Sequence, residues 1–202
     1  MNVASTTFTA IDFESAGARP GKTDVPVQIG MATMDGQGLN NESLFCSYLR
    51  ADQPITWSAR KVHGIRDEDI QDAPTFTALW PTVKKALADR VVVAHGSGTE
   101  KRFLRAFPFH GFGPWVDTLK VAHAAWPDAP SHSLEKLVIM SGLKAEVDNL
   151  CPDRRWHDAL YDAVASLVLL RHIIADFQLG QHNIGALIEP DRSPYFANRA
   201  AK

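Results

Sequence analysis

A chain of 202 residues with 45% apolar and 9% aromatic residues can bury the core of one globular domain, which excludes disorder as its default state. The 21 Lys and Arg residues nearly balance the 23 Asp and Glu residues, so there is no global positive charge to attract long duplexes, and any nucleic-acid contact should be local. No apolar run approaches the roughly 20 residues needed to cross a bilayer, and residues 1–5 lack the features of a targeting segment, so we expect a soluble, cytoplasmic protein.

The N-terminal third has short segments of alternating apolar and polar residues, separated by turn residues. This pattern predicts strands at residues 6–14, 26–34 and 42–49. An antiparallel meander is the simplest arrangement of the three strands.

After Pro54 the spacing of the apolar residues becomes helical. It predicts a short helix at residues 57–62 and a longer one at 76–87. The continuous β-branched run at 91–94 is typical of a strand buried on both faces, and a helix over 99–107 is predicted to follow it directly.

Helices dominate the C-terminal half. A short strand is predicted at 115–117, followed by one helix through Val121 and another that begins at Ser131 or Ser133 and runs to Met140. Strands first, and then strands interleaved with helices, predict a mixed sheet covered by helices.

The last long helix is predicted at residues 158–177, and its apolar positions indicate that it packs on the sheet. We therefore expect one domain over residues 1–178 and a C-terminal extension over 179–202. The extension looks loosely attached around Pro194 and Arg199. Three of its apolar residues are nevertheless candidates for docking on the domain: Ile184, Leu187 and Ile188.

The first chemical signal is an apolar strand that ends in two acids, Asp12 and Glu14, separated by one residue. Side chains alternate along a strand, so both carboxylates should project to the same face. Two carboxylates that share a face and lose hydration repel each other and favour a cation between them. The alternative is a frayed strand end with solvated acids.

The second chemical signal is Glu100, which is predicted in the first turn of the helix that follows the buried strand 91–94. This placement brings it near the end of that strand. An acid in a first helical turn is also commonly no more than a partner for the helix dipole.

The third signal lies at the start of the last helix, where Asp162 is an acid within a segment otherwise built for burial. His157 precedes it by five residues and is predicted to lie in the preceding loop and to reach over the same site. The alternative is that Asp158 merely caps the helix and that His157 is solvated.

In order and context these signals resemble those of the DEDDh exonucleases, the RNase H-like group that includes the proofreading subunit of bacterial DNA polymerase III, RNase T and oligoribonuclease. The resemblance covers roughly residues 6–176. Asp12 and Glu14 match the first motif of that family, and His157 and Asp162 match its last.

The middle motif of the family matches less closely. Ala94-His95 and Phe103-Leu104 agree with it, whereas Glu100 stands where the family has aspartate. Supporting similarity comes from segments 62–76, 117–119 and 133–137, and a departure is Ser15-Ala16-Gly17, where many members have threonine before the glycine.

The resemblance implies an α/β fold, an RNase H-like mixed five-stranded sheet flanked by helices. It also implies a two-metal 3′-5′ exonuclease that acts on DNA or RNA and releases nucleoside 5′-monophosphates. Two Mg²⁺ or Mn²⁺ ions about 4 Å apart would hold the scissile phosphate. On this pattern Asp12 bridges the ions, Glu14 and Asp162 complete the inner site, Glu100 supports the second ion, and His157 is the general base.

Substrate contacts are the least specified part of this hypothesis. Arg154 or Arg155 is a candidate for phosphate contact, and three candidates exist for stacking on a terminal base: Phe13, Trp57 and His63. Other cations flank the acidic motifs and are equally compatible with solvated charges: Lys101, Arg102 and Arg105.

Two further readings remain open at this stage. The Glu100 departure motivates a catalytically impaired, nuclease-like nucleic-acid-binding module, and an RNase H-like phosphodiesterase acting on small nucleotides is the second. The expected partner is single-stranded or 3′-terminal nucleic acid and not a membrane, with a homodimer or a polymerase as protein partner. Cys46 and Cys151 have no CxxC or HxxC companion, so we expect free thiols and no thiolate zinc site.

Overall fold

The computed structural model describes residues 1–191 and 193–195. The first half of the chain forms, in order, β1 (Phe8–Ser15), β2 (Pro26–Asp35), β3 (Gly38–Tyr48), α1 (Trp57–His63), α2 (Asp67–Ile70), α3 (Phe76–Leu87), β4 (Val91–Ala94) and α4 (Gly98–Leu104). The second half forms β5 (Trp115–Asp117), α5 (Thr118–Ala125), α6 (Leu134–Met140), α7 (Lys144–Leu150), α8 (Ala159–Asp176) and α9 (Gly185–Ile188). Two 3₁₀ turns at Val3–Ser5 and Leu179–Gln181 complete the described elements.

The five strands form one sheet in the order β3-β2-β1-β4-β5. β1, β2 and β3 pair antiparallel as a meander, while β4 runs parallel to β1 and β5 runs parallel to β4. This arrangement confirms the predicted mixed five-stranded sheet. All four residues of β4 are buried, as the β-branched run predicted.

Helix α8 packs across one face of the sheet, against β1 and β2. Twelve of its 18 residues are buried, and Leu167 and Leu170 are completely so. Burying one such side chain contributes about 1.5–3 kcal/mol, so the packing of α8 is a main source of stability. Residues of α3 and α4 pack on the opposite face, around Ile11 and Val92.

Alternation along β1 divides its side chains between these two layers. Phe8 and Ala10 belong to the core that includes α8, whereas Ile11 and Phe13 belong to the core on the opposite face. Asp12 continues the Phe8 and Ala10 series, so the strand directs it toward α8.

The structure adds three short helices that the apolar periodicity did not predict, α2, α7 and α9. Each buries only one residue, Ile70, Val147 or Leu187, and so leaves little helical pattern. Local contacts stabilise them instead, including the Lys144–Asp148 ion pair one turn apart at 2.7 Å. β3 also begins earlier than predicted, because its first half is a polar, exposed sheet edge.

The described part of the C-terminal extension packs on the main core. Leu179, Ile184 and Leu187 are buried there, and the Tyr195 ring lies 5.3 Å from that of Phe177. Arg199 lies outside the described residues, and the boundary at residue 178 stays a prediction. Within the described ranges, no helix combines the length and apolarity that a membrane crossing requires.

Candidate active site

Asp12 and Glu14 lie at the end of β1, directly opposite Gly30 and Gln28 of β2. Asp12 is half-buried, and Glu14 is 9% exposed. This burial contradicts the alternative of solvated acids at a frayed strand end. The register shifts between Glu14 and Ser15, so the regular ladder ends immediately after the second acid.

Burial and repulsion act together on these two acids. Burial, followed by the charges of Asp162 and Asp158, raises the pKa of Glu14 to about 8. Burial also raises the pKa of Asp12 well above its ordinary value, and the charges of Asp162, Glu100 and Glu14 add to this effect. Asp12 therefore lies within electrostatic reach of the three other predicted metal ligands.

Glu100 lies in the first turn of α4, as predicted, and only 4% of the residue is exposed. Burial raises its pKa to about 7. Its Oε2 atom is buried and has no hydrogen-bond partner within the described part of the chain. An exposed acid that only complements the helix dipole would show neither feature.

Asp162 lies in the first turn of α8, and its Oδ2 atom accepts a hydrogen bond from the backbone N–H of His157 at 3.3 Å. Burial raises the pKa of Asp162 to about 7, although the His157 hydrogen bond acts in the opposite direction. Its Oδ1 atom is buried and, among the described residues, finds no partner.

His157 lies in the loop before α8, as predicted, and its side chain is exposed. Its φ of 64° places it in the left-handed region, which turns the chain sharply before the helix. Potential ligand atoms of Glu14, His157 and Asp162 all lie within 4.8 Å of one another. Asp158 caps α8, because its side chain accepts hydrogen bonds from the N–H groups of Leu160 and Tyr161. This capping is compatible with the predicted place of His157 in the preceding loop.

Two residues of β2 that the sequence analysis did not identify fix the start of α8. The Gln28 side chain donates to Asp158 Oδ2 and accepts from the Ala159 N–H, both at 3.0 Å. At Gly30 an added Cβ would lie 2.2 Å from the backbone of Ala159 and Leu160, so the helix rests directly on this glycine. Glycine inside a strand and a glutamine within an apolar strand were the available signals.

Asp117 holds the turn that precedes Glu100. Its carboxylate accepts from the N–H groups of Gly96 and Ser97 at 2.9 Å, from the Ser97 hydroxyl at 3.1 Å and from the Leu119 N–H at 3.1 Å. Burial alone would raise the pKa of Asp117, but these hydrogen bonds outweigh it and lower the pKa. Asp117 thus positions the loop between β4 and α4.

The Arg and Lys residues that are candidates for phosphate contact differ in whether another side chain already engages them. Arg154 is engaged by Asp158 at 2.7 Å, whereas Arg155 is exposed. Arg102 contacts Asp24 at 3.4 Å, and the Lys101 ammonium lies 5.0 Å from the centre of the Trp115 ring. Arg105 is exposed. Cys46 and Cys151 are free thiols, as predicted.

The three candidates for base stacking differ in their exposure to solvent. Phe13 is buried between Phe76 and Phe103. His63 is also buried, with both ring nitrogens in hydrogen bonds, so only Trp57 is exposed. His63 and Arg155 nevertheless help to line a polar cavity of about 350 Å³ beside His157.

The four acids fit a divalent-cation site. Their donors are all carboxylate oxygens, which Mg²⁺ and Mn²⁺ prefer. Two buried carboxylate oxygens, on Glu100 and Asp162, lack partners within the described residues, a costly arrangement for anions unless a cation is present. The raised pKa values show that burial disfavours ionisation of these acids. A bound cation would favour their ionised form.

Comparison with known proteins identifies the families to which this chain is similar. The family model of the RNase T exonucleases matches residues 9–170. The DNA polymerase III subunit epsilon of Rickettsia typhi is 27% identical over 162 residues, which cover 76% of this chain and 67% of that protein. The PolC-type DNA polymerase III of Thermotoga maritima is 28% identical over 173 residues; the match covers 83% of this chain but spans 12% of the length of that polymerase.

A solved structure shares the fold. Exonuclease X, in complex with 5′ overhanging duplex DNA, superposes with a TM-score of 0.68 at 26% identity, covering 83% of this chain and 91% of that one.

Proposed function

The chain belongs to the RNase T family of exonucleases, and we propose that it is a metal-dependent enzyme that removes nucleotides from the 3′ end of DNA or RNA. Membership in this family confirms the resemblance and the RNase H-like fold that the motifs predicted. The observation that supports the proposed activity best is the meeting of four acids from three elements of the fold: Asp12, Glu14, Glu100 and Asp162.

When bound, two Mg²⁺ or Mn²⁺ ions would supply charge for the scissile phosphate and its leaving oxygen and would promote deprotonation of water. Asp12 would be the central ligand of the two ions, since the charges of Glu14, Glu100 and Asp162 all act on its carboxylate. Glu14 and Asp162 would complete the inner site, and Glu100 would support the second ion, directly or through water. Glu100 carries its carboxylate one methylene further than aspartate would.

His157 is the proposed general base. Its side chain is exposed beside Glu14 and Asp162, where it can receive the proton of an attacking water and pass it to solvent. The hydrogen bond from its backbone to Asp162 fixes the loop without occupying the imidazole. The products would be nucleoside 5′-monophosphates.

Arg155 is the better of the two proposed phosphate contacts, since Arg154 is engaged by Asp158. The named relatives are polymerase III proteins, and on that likeness we propose a polymerase as one protein partner. A second copy of this chain is the other proposed partner.

End-labelled single-stranded DNA, single-stranded RNA and duplexes test the proposal directly. We expect stepwise release of mononucleotides from the 3′ end with Mg²⁺ or Mn²⁺ and no release in excess EDTA. Shortening from the 5′ end or full activity in EDTA would contradict the proposal. Binding of the strands without any release would instead favour the catalytically impaired binding module.

A further inference from the structure

Helix α1 is fastened at both ends to the chain that immediately follows Glu14. At its start, the Thr56 N–H donates to the Ala16 carbonyl at 2.7 Å. At its end, His63 Nδ1 accepts from the Ile65 N–H, so Nε2 carries the proton and donates to the Ser15 carbonyl at 3.1 Å. The helix is therefore held along the rim of the acidic cluster.

A third close contact joins α1 to the chain that follows Glu14, at Gly17. Gly17 has a φ of 89°, and an added Cβ there would lie 2.2 Å from Thr56 Oγ1. Only glycine allows this approach, so α1 and the end of β1 form one rigid edge of the site.

The outer surface of α1 presents an aromatic side chain and a cation one turn apart. Trp57 is 72% exposed, and the Lys61 ammonium lies 4.6 Å from the centre of its ring. Lys61 forms no ion pair with any residue in the described ranges. A tryptophan so exposed buries little of its apolar surface in the fold, and this residue type is enriched at binding hot spots.

We propose that Trp57 and Lys61 form a docking surface for the single strand that leads away from the acidic cluster, with the indole stacked on an upstream base and the ammonium at a neighbouring phosphate. This inference rests on the proposed exonuclease function and names the contact that would hold the substrate beyond its terminal nucleotide. With Lys61 over one face of the indole, the other face is available to a base.

Two observations favour nucleic acid as the occupant. The surface is continuous with the rim of the catalytic acids through Ser15 and Ala16, so a strand that leaves the site passes along it. Its charge is complementary to a phosphate backbone, because the Lys61 ammonium forms no ion pair with an acid in the described ranges.

The test compares two substrates, a single-stranded octanucleotide and the p-nitrophenyl ester of thymidine 5′-monophosphate, which has no upstream nucleotide. We expect Trp57→Ala to lower the ratio of kcat/KM for the octanucleotide to kcat/KM for the ester by about 5- to 150-fold, the range for one stacked base. Trp57→Phe should recover most of that ratio. Lys61→Ala should reduce the slope of log Kd against log salt by about one.

Phe109→Ala is the matched control. Phe109 is fully exposed, but its loop precedes β5 and therefore lies at the amino ends of the parallel strands, away from the acids. The control should leave the octanucleotide-to-ester ratio at the native value.

Fluorescence anisotropy with a labelled octanucleotide, DNA and RNA in turn, separates the two proposals. Tight binding that Trp57→Ala weakens, without nucleotide release by the native protein, would overturn the exonuclease and retain the docking surface. Native release with an unchanged ratio and an unchanged Kd in Trp57→Ala would overturn the docking surface and retain the exonuclease. A Trp57→Ala protein that loses ester and octanucleotide hydrolysis equally would also overturn it.

Discussion

At the residue scale, the site depends on carboxylates that are held close together at a cost to the folded chain. Glu14, Glu100 and Asp162 each have a pKa raised to about 7 or 8, chiefly by burial. Hydrogen bonds and ion pairs, which normally compensate a buried acid, are instead concentrated on residues around the site: Asp117 accepts from backbone N–H groups, and Asp158 pairs with Arg154. Among the described residues, one carboxylate oxygen each of Glu100 and Asp162 remains without a hydrogen-bond partner and is available to a cation.

Removal of the imidazole tests the general base. We expect His157→Ala to lower kcat by roughly 10²–10⁴-fold, the usual range for loss of a general base. Its Tm should fall only modestly, because the side chain is exposed and only the left-handed backbone conformation disfavours alanine. His157→Asn is the control for the backbone, since asparagine tolerates the left-handed φ of 64° but is no base. Steady-state kinetics that show near-native turnover in both variants would assign the proton to another group.

Glu100 stands where the middle motif of the family has aspartate. We expect Glu100→Gln to reduce turnover strongly and to raise the metal concentration for half-maximal rate, because it removes a charged oxygen ligand. Its Tm should stay nearly native, since burial already disfavours the charged form.

Glu100→Asp keeps the charge and should therefore retain measurable activity, with a changed preference between Mn²⁺ and Mg²⁺ because Mg²⁺ tolerates distorted geometry poorly. Metal titrations of the initial rate measure both effects. Native metal dependence in Glu100→Gln would show that Glu100 only complements the dipole of α4.

At the element scale, the site is assembled where α8 meets β1 and β2. Gly30 lets the first turn of the helix approach β2, and Gln28 bonds both the cap residue Asp158 and the first helical N–H. Asp162 belongs to that first turn, and His157 immediately precedes it. A displacement of the helix start therefore moves two of the proposed catalytic groups together.

Gly30→Ala tests this dependence. The added methyl would collide with the backbone of Ala159 and Leu160, so we expect destabilisation of about 1–3 kcal/mol, typical of overpacking, and a lower kcat. Gly98→Ala is the matched control, because an added Cβ there meets nothing within 4 Å. Thermal melts measure the Tm of both variants, and steady-state kinetics measure their kcat. Equal Tm values for the two variants would mean that α8 does not rest on Gly30.

At the scale of the whole molecule, the acidic cluster links stability, pH and metal. A carboxylic acid with a raised pKa in the folded state holds its proton where the unfolded chain has released it, so stability falls as pH rises between the two pKa values. For Glu14 this window runs from the ordinary glutamate value of about 4.3 to about 8. Cation binding opposes the loss because it favours the ionised acids.

We therefore expect the Tm of the metal-free protein to fall as pH rises from about 5 to about 8, and Mg²⁺ or Mn²⁺ to restore more of it at the upper end of that range. Glu14→Gln should flatten the pH dependence, since it removes one titrating acid. Scanning calorimetry in EDTA and in excess metal measures both. A Tm that rises steadily through this range without metal would contradict the electrostatic description of the cluster.

The sequence by itself determined the local elements and the types of catalytic group. Periods of two and of 3.6 residues predicted β1, α3 and α8, because hydrophobic spacing follows directly from local geometry. The continuous β-branched run predicted β4, a strand buried on both faces. The pair Asp12 and Glu14 needed only the alternation of one strand to share a face. Short helices such as α2 were missed because they bury too little to leave a pattern.

Tertiary structure alone decided how the separated segments meet. The contact between Gly30 and the start of α8 joins residues about 130 positions apart in the chain, as do the bonds of Gln28, so no local pattern shows them. Burial likewise separated the stacking candidates: Phe13 lies in the core, whereas Trp57 is 72% exposed. Both are aromatic residues in the sequence, and only the packing around each ring determines whether a ligand can reach it.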